Sequence, residues 1–127
     1  MSKRVLAVLE RAYRGAVEEQ YAHVLWLLWS LQRMGGRVAV LLRGNTTLYA
    51  RRDQRWPELT IGGCAIPAPG YESSLGGLLA DGGAVYVLDD DLSRLRLGLD
   101  ELSRGVEAVG AAELPALFSS YDTVWYL

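Results

Sequence analysis

The last third of the chain alternates short apolar runs with helical patterns, and that alternation leaves few folds open. Val85-Tyr86-Val87-Leu88 is the first run; it stops at Asp89-Asp90-Asp91 and gives way to a helical spacing of Leu92, Leu95 and Leu97. Val106 to Val109 forms a second run, Ala111 to Ser120 reads as helix, and Thr123 to Leu127 is a third run. Short apolar strands separated by helical crossovers build a parallel sheet covered on both faces. Ligands and reacting groups in such sheets gather at the carboxyl ends of the strands. Asp89, Asp90 and Asp91 therefore stand where a functional side chain is expected.

The first half continues the pattern. Arg4 to Leu9 reads as a strand buried on both faces, Glu10 to Gly15 as a turn, and Val17 to Met34 as the main helix. Glu18-Glu19 suits the positive end of that helix, and Gly35-Gly36 supplies a left-handed stop. Arg37 to Leu42 is a second strand, and Asn45 or Thr46 can cap a short helix to about Arg52. The pattern then fails. Asp53 to Tyr71 carries Pro57, Pro67, Pro69, Gly62, Gly63 and Gly70, with room for brief strands at Leu59-Thr60-Ile61 and Ala65-Ile66. A connection of that length is usually a lid, a binding loop or an interface element. Ser73 or Ser74 opens a helix to Ala80, and Asp81-Gly82-Gly83 turns into a strand at Ala84. The expected fold is one three-layer α/β/α domain over residues 1–127, with a mostly parallel sheet of about five strands.

Composition excludes several classes. A chain of 127 residues, half of them hydrophobic and 22% charged, has enough apolar material for a core. A net charge of −2 gives no electrostatic footprint for nucleic acid. The longest apolar run, Val24 to Trp29, falls far short of the roughly 20 residues of a membrane span. Met1-Ser2-Lys3-Arg4 runs straight into the first strand, so no signal peptide is expected, and the single cysteine cannot form an internal disulfide; the expected compartment is the cytoplasm. One cysteine and one histidine argue against a protein-only zinc site, and no cofactor is expected.

The main helix is apolar on two sides. Val17, Tyr21, Val24, Leu25, Leu28 and Leu31 form the stripe that faces the sheet, while Ala22, Trp26 and Trp29 lie on the other side. A second cover is therefore expected, either the Asp53–Tyr71 segment or another subunit. Large aromatics on an outer face favour the subunit. Ala22, Trp26 and Trp29 are thus candidate interface residues.

Each candidate for chemistry has a plainer reading beside it. Cys64, flanked by Gly62-Gly63 and Ala65, could serve as a nucleophile, but no Arg or Lys is close in sequence to lower its pKa. Three carboxylates at Asp89–Asp91 could hold Mg²⁺; a helix start with Asp89 or Asp90 as cap is the more economical reading. A phosphoacceptor pocket would need a second acid after the first strand and a lysine after a later one, and the only lysine is Lys3. Tyr13-Arg14-Gly15 and Gly44-Asn45 end the first two strands and could line a strand-end cleft with Asp89 and Asp90. The plainer reading of Gly44-Asn45 is a turn and cap. His23, one helical turn after Glu19, reads as a surface pair. No nucleotide-binding fingerprint and no hydrolase triad order is present.

These segments also resemble a family. The series V-Y-V-L-D-D-D-L-S-R-L-R-L-G-L, R-G-V-E-A-V-G-A-A-E-L and Y-D-T-V-W-Y-L is similar to the second half of the DsrE/DsrF/DsrH (TusD/TusC/TusB) sulfur-relay proteins. Tyr13-Arg14-Gly15, the long helix, and Val38 to Leu42 running into Gly44-Asn45 resemble the first half. The resemblance implies an oligomer, with itself or with paralogues, that exchanges sulfur with donor and acceptor proteins. It places the family cysteine near Asp90, so it implies a non-catalytic partner closest to the DsrH/TusB pattern. The alternatives are a sulfurtransferase carrying persulfide on Cys64, and a small-molecule or metal-binding domain using the strand-end residues.

Overall fold

The computed structural model describes residues 3–10, 24–53, 59–66 and 71–127. Strand β1 (Arg4–Leu9) is followed by helix α1 (Val24–Arg33), strand β2 (Arg37–Leu42) and a 3-10 helix at Gly44–Ala50. A small hairpin, β3 (Leu59–Ile61) and β4 (Cys64–Ile66), precedes helix α2 (Tyr71–Ala80). Strand β5 (Ala84–Leu88) runs directly into helix α3 (Asp89–Leu95). Strand β6 (Glu107–Val109), helix α4 (Leu114–Ser119) and strand β7 (Thr123–Tyr126) complete the order.

Five strands form one sheet in the order β6-β5-β2-β1-β7, and every pairing is parallel. The β6–α4–β7 crossover carries the chain from one edge of the sheet to the other, so the last strand lies beside the first. Their register runs from Val5 opposite Thr123 to Val8 opposite Tyr126. The two faces of the sheet bury separate clusters, as alternation of side chains requires. Ala7, Leu9, Val40, Leu42, Val85 and Val87 point to one face and meet Leu25 and Leu28 of α1 and Leu75 and Leu78 of α2. Leu6, Val8, Ala39 and Leu41 point to the other, where Leu114, Leu117 and Phe118 of α4 cover them. The domain is thus a three-layer α/β/α sandwich with an all-parallel five-stranded sheet, as the alternating pattern implies. Central strands β1 and β2 are fully buried over most of their length, which explains their unbroken apolar sequence.

Between β2 and α2 the chain leaves the sheet. The 3-10 helix buries Tyr49 against Tyr71 of α2, the rings stacked at 4.2 Å. Its end is held by Ser103 N–H on the Ala50 carbonyl and Arg52 N–H on the Glu101 carbonyl. Among the described residues no helix is long and apolar enough to cross a membrane.

Candidate functional site

The carboxyl ends of β2 and β5 lie side by side, Leu42 being paired with Val87. The chain leaves β2 through Arg43 and Gly44, whose φ of +59° is a left-handed conformation that suits glycine. It leaves β5 with no turn. The capping residue of α3 is Leu88, in extended conformation and without a side-chain cap bond. Asp89, Asp90 and Asp91 are therefore the first three helical residues, and the expected cap at Asp89 or Asp90 is not what forms. The acids still favour the helix, because its unpaired N–H groups carry partial positive charge there. Asn45 and Thr46 likewise do not cap the 3-10 helix, whose capping residue is Arg43, again without a side-chain bond.

Asp91 is the acid that turns inward. Its Oδ2 accepts the Gly44 N–H at 2.9 Å, and its Oδ1 lies 3.5 Å from the Arg94 guanidinium. Arg94 in turn donates to the Asn45 Oδ1 at 3.2 Å. Gly44, Asn45, Asp91 and Arg94 are thus one connected cluster, linking the loop after β2 to the helix after β5. Asp89 and Asp90 are exposed, and a Cβ built on Gly110, at the end of β6, would lie 3.7 Å from the Asp89 Oδ2. On the β1 side, Glu10 pairs with Arg43 at 3.4 Å. Thr46 is buried, its Oγ1 within 2.8 Å of the Leu9 carbonyl and 2.6 Å of the Arg43 carbonyl. Thr47, next to it, is also buried, and its hydroxyl has no partner among the described residues. Among the described residues no group of three or more His, Cys, Asp or Glu side chains is arranged to hold a metal ion. Tyr13, Arg14, Gly15 and Ala22 lie outside the described residues.

Cys64 belongs to a different element. Gly62 and Gly63 have φ of +58° and +79°, the two left-handed positions of a tight hairpin turn, and Cys64 pairs with Ile61 immediately after it. The cysteine expected in a loop is therefore the first residue of β4, exposed and free, and outside the five-stranded sheet.

The tryptophans of α1 separate. Trp29 Nε1 donates to the Asp81 Oδ2 at 2.7 Å, and the Arg33 guanidinium stands 5.3 Å from the Trp29 ring centre. The ring rests on Gly77 of α2 so closely that a Cβ there would overlap it. Part of the outer side of α1 is thus covered by α2 of the same chain, an arrangement not expected from the sequence. Trp26 keeps 43% of its surface exposed and Leu27 49%.

A polar cluster on the α4 side also escaped the sequence reading. The Tyr86 and Tyr121 hydroxyls are 3.2 Å apart, and the Arg4 guanidinium lies 4.7 Å from the Tyr121 ring centre. Burial, the Tyr121 hydroxyl and the nearby Glu107 carboxylate push the Tyr86 phenol up to about 12, against a smaller opposing pull from Arg4. Arg94 was missed because its link to Asn45 spans 49 residues; only the Asp91–Arg94 spacing on one helix face could have pointed to it.

No protein-family model matches the sequence, and no curated protein matches it. Solved structures do match. YchN of E. coli superposes with a TM-score of 0.75 at 19% identity, covering 98% of this chain and 99% of that one. A protein of unknown function from Methanobacterium thermoautotrophicum, MTH1491, superposes with a TM-score of 0.63 at 17% identity, covering 96% and 97%. At these identities the likeness concerns the fold, and over nearly its whole length this chain has the DsrE/YchN-like fold.

Proposed function

We propose that the protein is an oligomeric, cytoplasmic DsrE/DsrF/DsrH-like component of sulfur transfer, acting as a non-catalytic partner of a persulfide-carrying copy or paralogue. The observation that carries this reading is Asp90. It is exposed on the first turn after β5, where the family resemblance calls for a cysteine, and a carboxylate cannot carry sulfane sulfur. The neighbouring Asp91, Arg94 and Asn45 are engaged with one another, which argues against the competing small-molecule or metal site.

A second reading, persulfide carriage on Cys64, is favoured by the exposure of that thiol beside a Gly-Gly turn. One experiment separates the two. The protein is incubated with a sulfane-sulfur donor and its intact mass is measured. The non-catalytic reading expects no stoichiometric gain of about 32 Da, the mass of one sulfur atom. A full adduct on wild type that vanishes in Cys64→Ser would overturn it in favour of the second reading. Light scattering tests the oligomer: Trp26→Glu is expected to reduce the assembled mass with far-UV helicity retained, and a wild-type monomer at micromolar concentration would refute association.

A further inference from the structure

Strand β7 ends the sheet, and no described strand lies beside its outer edge. Exposed edges in soluble proteins usually carry a charge, a proline or a bulge that blocks further pairing. Thr123-Val124-Trp125-Tyr126-Leu127 has none of these in its sequence, and its last three side chains are 39%, 67% and 41% exposed. The opposite edge differs: β6 is only three residues long and opens with exposed Glu107.

The direction of the main-chain groups matters as much as the side chains. Leu127 donates its N–H inward to the Val8 carbonyl at 3.0 Å. Alternation along the strand then turns the main-chain groups of Val124 and Tyr126 to the open side. Two copies related by a twofold axis through Trp125 satisfy those groups reciprocally. Val124 faces Tyr126 of the second copy and Tyr126 faces Val124, each pair exchanging two hydrogen bonds. Trp125 then faces its own symmetry mate in the closer, non-hydrogen-bonded type of pair, with Cα atoms about 4.5 Å apart. Thr123 faces Leu127. No charged side chain enters the seam. Pairing β7 with the β6 edge of another copy would instead bring Glu107 into the contact and leave free edges that continue into a filament.

We propose that the β7 edge is a docking surface for a second copy of this chain, joined by antiparallel β7–β7 pairing into a continuous ten-stranded sheet. This deepens the oligomeric part of the function proposed above and is independent of its sulfur chemistry. The test uses the full chain with Cys64→Ser, so that any introduced thiol is alone. Trp125→Cys is expected to form a disulfide dimer under mild oxidation, because its predicted Cα separation lies within disulfide reach. Thr123→Cys, which faces Leu127 rather than itself, should link far more slowly. In a chain that keeps Trp125, Tyr126→Lys should lower the mass found by light scattering by the loss of one pairing, with its far-UV spectrum retained. A wild-type monomer at micromolar concentration would overturn both this proposal and the oligomeric reading. A wild-type oligomer in which Trp125→Cys links no faster than Thr123→Cys, or in which a folded Tyr126→Lys keeps its full mass, would overturn the β7 edge alone.

Discussion

Asp91 and Asp90 are adjacent acids on the first turn of α3, and their substitution by alanine should have very different consequences. Asp91 accepts the Gly44 N–H at 2.9 Å in a half-buried setting and also pairs with Arg94. A hydrogen bond to a charged acceptor contributes about 1.5–3 kcal/mol, and removing the carboxylate leaves the Gly44 donor without it. The Arg94 pair adds little, since its partner is half exposed and the separation is 3.5 Å. Asp91→Ala should therefore destabilise the fold by about 2 kcal/mol. Asp90 is exposed and does not cap the helix, so Asp90→Ala should fall within about 0.5 kcal/mol, the range of ordinary surface substitutions. With a urea slope of about 1–3 kcal/mol per molar, the Asp91→Ala midpoint should drop by roughly 1 M while the slope stays constant. Asp91→Asn keeps an acceptor oxygen for Gly44 and should recover part of that loss. Equal midpoints for Asp90→Ala and Asp91→Ala would refute the link between the β2 loop and α3.

The buried Thr47 hydroxyl, without a partner among the described residues, predicts that Thr47→Val is neutral or stabilises by up to about 1 kcal/mol, checked by the same urea titration. Gly77→Ala should gain about 1 kcal/mol of helix propensity but lose about 1–3 kcal/mol by overlapping the Trp29 ring, a net loss; with Trp29→Ala in the background its sign should reverse. The Tyr86 phenol, raised to about 12, holds its proton in the folded chain after an unfolded tyrosine has lost it near 10. The stability this contributes is complete below pH 10 and is lost as pH rises from about 10 to 12. Tyr86→Phe should blunt that alkaline decline, and ultraviolet titration of wild type should show one phenol fewer ionising near 10.

The central strands were legible because a parallel sheet buries both faces, so β1, β2 and β5 appear in the sequence as continuous apolar runs with few competing interpretations. The helix after β5 was legible in position but not in its cap: the backbone turns at Leu88, one residue before the acids, and composition alone does not fix that phase. Trp26 and Trp29 lie only about 60° apart around α1, too little for a helical wheel to foretell that one meets α2 and the other meets solvent. The clue lay elsewhere, in Gly76-Gly77 inside a helix, where a missing side chain commonly marks a close neighbour. The Asp91–Gly44 and Arg94–Asn45 contacts join segments 47 and 49 residues apart, and no local pattern encodes such pairings.

The closing strand also imposes an order on synthesis. β1 emerges from the ribosome more than a hundred residues before its partner β7, Arg4 N–H bonding the Asp122 carboxylate across 118 positions. Until that late strand arrives, Val5-Leu6-Ala7-Val8-Leu9 has one side without its neighbour, and a nascent chain would present an uncharged, β-prone edge to every other chain nearby. Ribosome-bound chains stopped before Thr123 should therefore be the aggregation-prone species, more so than any folded variant above.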